Sequence, residues 1–135
     1  MPNKVLTIIP VRLASTRLPN KPLADIAGKS MIQRVYEQAI KANIGDVIIA
    51  CDGQEIAEEA KRIGAKFVIT DPNLPSGTDR IYEAYKQISQ DKDYIKNIEI
   101  ILNLQGDLPN IDPKIMSTEI NLLHKMGVNI IRKKN

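Results

Sequence analysis

Val5 to Lys29 reads VLTIIPVRLASTRLPNKPLADIAGK, and its opening run decides the fold. Val5 to Pro10 is short, continuously apolar and rich in β-branched residues. That is the pattern of a strand buried on both faces, as found in parallel sheets. The apolar run then ends abruptly. Arg12, Arg17, Lys21 and Lys29 follow, with no acid until Asp25. Pro19 and Pro22 hold this stretch away from helix.

The rest of the chain repeats one alternation outward from that run. Apolar residues at 31, 32, 35, 36, 39 and 40 form a helical stripe from Met31 to Asn43. Asp46 to Cys51, DVIIAC, reads as a second buried strand. Ile56, Ala57, Ala60 and Ile63 make the next helical stripe, which Gly64 closes as a C-cap glycine. KFVIT, 66 to 70, reads as a third strand. Ile81, Ala84, Tyr85 and Ile88 repeat the helical spacing, and IEIILNL, 98 to 104, reads as a fourth strand. Asp112-Pro113 has the order of a helix start, cap residue then Pro, for a helix to about Met126. GVNIIRKKN, from Gly127, resembles the beginning of another strand. Strands alternating with helices predict βαβ units, a mainly parallel sheet and helices on both faces. One α/β domain over 1–135 is expected, with no repeat, linker or low-complexity stretch.

Composition narrows the partners. The chain has 135 residues, is 43% hydrophobic, and has one Phe and no Trp, so its core is aliphatic. A net charge of +3 is weak support for nucleic acid. The near absence of aromatic stacking platforms argues further against a small basic nucleic-acid-binding domain. A lone cysteine, Cys51, ends an apolar strand and reads as a small buried hydrophobe. The apolar runs are too short for a signal peptide or membrane span. A soluble, cytoplasmic protein without membrane insertion is the expectation.

In open α/β sheets ligands bind beyond the carboxyl ends of the strands. The cations at 12 to 21 leave the first strand at that end. Arg12, Arg17 and Lys21, with the hydroxyls of Ser15 and Thr16, suit a polyphosphate, because guanidinium groups grip phosphate oxygens bidentately. A solvated basic loop is the alternative on charge alone. The stretch lacks both the Walker pattern G-x-x-x-x-G-K-[ST] and the dinucleotide pattern G-x-G-x-x-G. Asp107, directly after the fourth strand, reads by itself as a turn or cap aspartate. Ser76 and Asp79 have capping-box spacing. His124, the only histidine, lies beyond these motifs and reads as a surface or packing residue.

The motifs together carry a resemblance. IPVRLASTRLPNKPLADIAGKSMI resembles the N-terminal signature of the 3-deoxy-manno-octulosonate cytidylyltransferase (CMP-Kdo synthetase) family. Arg12, Ser15, Arg17 and Lys21 fill its R-x-x-S-x-R-x-x-x-K pattern. SGTDR, 76 to 80, and NLQGDLPNI, 103 to 111, resemble its two later motifs, in the same order. The resemblance runs to about Leu123 and implies a C-terminally truncated, Rossmann-like nucleotide-diphospho-sugar transferase fold. It implies transfer of CMP from CTP to Kdo with pyrophosphate release, in lipopolysaccharide biosynthesis. Arg12, Arg17 and Lys21 would hold the triphosphate. Asp107 would carry Mg²⁺. Ser76, Gly77, Thr78 and Arg80 would recognise the nucleotide, and Gln105 would contact ribose or sugar. Members of the family form homodimers. Two departures qualify the resemblance: Leu108 stands where the family has an acid after QGD, and only the N-terminal half is matched. The sugar-binding half, the dimer surface and a second metal-binding aspartate would then be missing. A catalytically inactive nucleotide-binding remnant is therefore the alternative to an active enzyme.

Overall fold

The computed structural model describes residues 5–12, 25–43, 45–74, 77–96, 98–104 and 129–132. Strand β1 spans Val5–Val11. A hairpin, β2 (Asp25–Ile26) and β3 (Lys29–Ser30), leads into α1, Met31–Ala42. Then come β4 (Asp46–Cys51), α2 (Gln54–Arg62), β5 (Lys66–Ile69), α3 (Gly77–Ile88), the short α4 (Lys92–Ile95), β6 (Ile100–Asn103) and β7 (Asn129–Arg132).

The main sheet has the order β5-β4-β1-β6-β7. β1 pairs in parallel with β4 on one side and β6 on the other, and β4 pairs in parallel with β5. The order therefore reverses between β1 and β6, the first and fourth predicted strands. β7, the strand read in GVNIIRKKN, is antiparallel to β6. The predicted strands at 66–70 and 98–104 are shorter than expected, 66–69 and 100–103. The predicted helix from Asp112 lies outside the described residues.

Alternation along the strands feeds two cores. Ile9, Val11, Val47, Ile49 and Cys51 pack under α1 and α2 through Ile32, Val35, Ile56 and Ala60. Leu6, Ile8, Ile48, Ala50 and Ile101 pack against α3 and α4 through Ile81, Ala84, Ile88 and Ile95. β1 is buried on both faces because it separates these cores, as its continuous apolar run requires. Burying one such Ile is worth about 1.5–3 kcal/mol.

The boundaries have local causes. Ser30 caps α1 by accepting a hydrogen bond from the Gln33 N–H at 3.2 Å. α2 ends as the sequence predicts. Gly64, at φ +76°, follows the C-cap Ile63. The Gly64 N–H reaches the Lys61 carbonyl (3.1 Å) and the Ala65 N–H the Ala60 carbonyl (2.8 Å), a Schellman closure. Gly45, at φ +156°, precedes β4 so closely against β1 that a Cβ there would lie 1.9 Å from the Val5 carbonyl oxygen. Only glycine fits.

Candidate functional site

The strand register sets one row of residues at the carboxyl edge of the sheet. Val11 is opposite Cys51, and Cys51 is opposite Ile69. Arg12, Asp52 and Thr70 thus stand one step beyond three neighbouring strands. β6 ends at the same edge, since the Leu104 N–H donates to the Ile8 carbonyl at 3.1 Å. This is the switch point, where adjacent parallel strands send their following segments to opposite sides and leave a crevice.

Arg12 is exposed at that edge. Arg80, from the first turn of α3, is its opposite: its relative exposure is 0%. The Arg80 Nη1 donates to Thr70 Oγ1 and, at 3.2 Å, to the Asp71 carbonyl. Its Nε and Nη2 are buried and have no hydrogen-bond partner among the described residues. Burial pushes the guanidinium's pKa down. The Asp52 charge opposes that shift, and the Arg12 charge adds to it. The balance remains downward, so the surrounding acids undercompensate a buried cation. Two cations at one strand edge, with two donors left open among the described residues, are chemically suited to an anion or an acceptor-rich ligand.

Thr70 holds this arginine. Its relative exposure is 3%, and its hydroxyl donates to the Cys51 carbonyl at 2.9 Å. Asp71 turns the chain away from β5, its Oδ1 accepting from the Asn73 N–H at 2.8 Å. Cys51 itself behaves as read from sequence. It is buried, burial pushes its thiol pKa up, and its Sγ lies near the carbonyls of Gly53 (3.6 Å) and Val68 (3.5 Å). A thiol held in that state is a poor nucleophile.

The far end of the cationic stretch is tied to the helices. In the turn of the β2–β3 hairpin, the Ala27 carbonyl accepts from Arg34 Nη2 at 3.1 Å. Lys29 pairs with Glu37 at 2.8 Å, which lowers the Glu37 pKa. Ser30 Oγ donates to Glu59, which also takes two 2.6 Å bonds from Arg62. The Arg62 bonds, then that from Ser30, hold the Glu59 pKa below its ordinary value against an opposing burial effect.

Of the predicted site residues, the structure brings Arg12 and Arg80 to one edge and makes Gly77 and Thr78 the opening of α3. Ser15, Arg17, Lys21, Ser76, Gln105 and Asp107 lie outside the described residues, as does His124. Sequence reasoning missed Asp52, Thr70 and Asp71. The available signal was position: each follows the end of a parallel strand.

The same site edge lies within a region shared with known proteins. A family model described as cytidylyltransferase matches residues 6–132. The chain belongs to the cytidylyltransferase family. Members of this family are nucleotidyltransferases. The chain is 43% identical over 125 residues to a 3-deoxy-manno-octulosonate cytidylyltransferase of Parvibaculum lavamentivorans, covering 93% of this chain and 47% of that protein. It is 46% identical over 123 residues to one of Haemophilus influenzae, covering 91% and 46%. Among solved structures, a CMP:2-keto-3-deoxy-manno-octonic acid synthetase complexed with CTP superposes with a TM-score of 0.77. That match has 36% identity and covers 90% of this chain and 48% of the other. The chain thus spans about half the length of the relatives it matches. No helix among the described residues is long and apolar enough to cross a membrane.

Proposed function

We propose that this chain binds CTP at the carboxyl edge of its sheet and forms the nucleotide side of a CMP-Kdo synthetase. The observation that carries this is Arg80, a fully buried guanidinium with two nitrogens that have no partner among the described residues, set beside exposed Arg12 at the switch point. The names of the relatives and the CTP in the solved neighbour supply the nucleotide.

In the whole protein's reaction, the Kdo hydroxyl oxygen forms a bond to the α-phosphorus of CTP and loses its proton. The bond to the bridging oxygen breaks, and pyrophosphate leaves. Arg12, Arg17 and Lys21 neutralise the triphosphate and the departing pyrophosphate, where preorganised cations lower the barrier most. Arg80, with Ser76, Gly77 and Thr78, grips the nucleotide, and Gln105 reaches ribose or sugar. No cluster of three acidic, His or Cys ligands occurs among the described residues. On the family resemblance of the QGD motif, Mg²⁺ is assigned to Asp107 with phosphate oxygens and water, a donor set that ion accepts, and would add further charge neutralisation. The setting proposed is cytoplasmic lipopolysaccharide biosynthesis by a homodimer. Because the chain spans about half of its relatives, CTP binding is the part its own residues carry. Attack by Kdo is proposed of the whole protein.

Calorimetry tests the binding claim. CTP should bind more tightly than CMP, because Arg12, Arg17 and Lys21 address the β- and γ-phosphates. Arg17→Ala should weaken CTP about tenfold, the value of one lost charge-assisted hydrogen bond. Equal affinities for CTP and CMP would refute the assignment. A Kdo-dependent pyrophosphate-release assay then measures how much turnover these residues support.

A further inference from the structure

Thr70 has an unusual hydrogen-bond balance. Its backbone N–H and its hydroxyl both donate to the Cys51 carbonyl, at 2.8 and 2.9 Å. A hydroxyl has a single proton to give. Once that proton is committed to β4, only the Oγ1 lone pairs remain, and they face Arg80 Nη1. The Asp71 carbonyl accepts from the same nitrogen at 3.2 Å. One end of the guanidinium is therefore clamped to the ends of β4 and β5, while Nε and Nη2 stay without partners among the described residues. A planar guanidinium fixed at one nitrogen has the direction of its others fixed as well.

We infer that Thr70 is a positioning residue: it orients Arg80 so that Nε and Nη2, which have no partner among the described residues, are presented to the nucleotide. Thr70 does not touch the ligand. This rests on the CTP reading above for the identity of the ligand, and on the hydrogen bonds alone for the orientation. The position asks for a β-hydroxyl. Serine can supply the same donor and acceptor. Valine keeps the shape and removes both.

The test compares wild type, Thr70→Ser, Thr70→Val, Arg80→Ala and the double variant Thr70→Val/Arg80→Ala, by calorimetry with CTP and by thermal melting. Thr70→Val should weaken CTP about tenfold, and Thr70→Ser by under about threefold. In the Arg80→Ala background, Thr70→Val should bring no further loss of affinity, because the residue acts through Arg80. A purely structural threonine would lower the melting temperature and weaken CTP equally in both backgrounds. That outcome, or wild-type affinity in Thr70→Val, would overturn the proposal. Failure of wild type to bind CTP would defeat the nucleotide reading instead, and the orientation stays measurable without ligand. In heteronuclear NMR spectra the Arg80 side-chain N–H signals should exchange slowly with water in wild type and Thr70→Ser, and faster in Thr70→Val. Equal exchange in all three would overturn the positioning role.

Discussion

Replacing Arg80 by methionine separates a ligand-binding arginine from a structural one. The guanidinium is fully buried. Two bonds, to Thr70 Oγ1 and the Asp71 carbonyl, offset its desolvation, while Nε and Nη2 stay unsatisfied among the described residues. Hydrogen bonds to a charged group contribute about 1.5–3 kcal/mol each, and each buried polar group without a partner costs about 1–3 kcal/mol. Gains and costs nearly cancel. Methionine keeps most of the apolar stem and removes the charge. Thr70 retains its bond to Cys51. Arg80→Met should therefore change nucleotide-free stability by no more than about 1 kcal/mol in either direction, as replacing buried charges by apolar groups often does. For a chain of this size that is a melting shift within about 5 °C. CTP affinity, in contrast, should fall at least about tenfold, because the buried donors that would meet the nucleotide are gone. Differential scanning calorimetry without nucleotide, paired with isothermal titration of CTP, reads both quantities. A stability loss above about 3 kcal/mol, the signature of breaking a satisfied buried ionic contact, together with unchanged CTP affinity, would show Arg80 to be a structural pin.

Other substitutions test the scaffold around the site. Gly45→Ala would drive a Cβ to within 1.9 Å of the Val5 carbonyl oxygen; backbone strain alone should cost about 1–3 kcal/mol, visible as a lower urea midpoint. Ile9→Ala, in the core beneath α1, should cost about 2–5 kcal/mol, and a loss under 1 kcal/mol would contradict the described packing. Glu59 should contribute to acid sensitivity. Its folded-state pKa is depressed below the ordinary glutamate value of 4.5, so its contribution is fully present above that pH and is lost as pH falls through the folded value. Melting curves of Glu59→Gln should converge on those of wild type as pH falls through that window. The convergence should be shallow, because Arg62 stands in solvent and is screened. A gap that widens toward acid pH would reverse the assigned sign.

Much of the fold was legible because its signals are local. β1 announces itself through VLTIIP, a run that only burial on both faces explains. Gly64 marks the end of α2 because a positive φ there excludes most residues. The β2–β3 hairpin and α4 went unread, since Asp25–Ile26, Lys29–Ser30 and Lys92–Ile95 are too short to establish any period. The antiparallel direction of β7 was also hidden. A strand's own sequence does not encode which way its neighbour runs, and Arg132 finds Ile100 only through the register of the folded sheet.

The site was half legible for a different reason. Sequence reading treats a cation as a surface group, and Arg12 obeys that expectation. Arg80 violates it, and its importance comes from burial, which depends on α3 packing on the sheet face with its first turn at the carboxyl ends of β4 and β5. In water its charge would be screened and its donors satisfied. At zero exposure the same donors act in a medium where electrostatic attraction is several times stronger. Their orientation is set by Thr70, a residue without charge that no motif singles out. The chemistry thus sits in the charged residues that composition and motif reveal. Its direction sits in the neutral residue behind them, and that residue becomes visible only once one hydroxyl proton is traced to the Cys51 carbonyl.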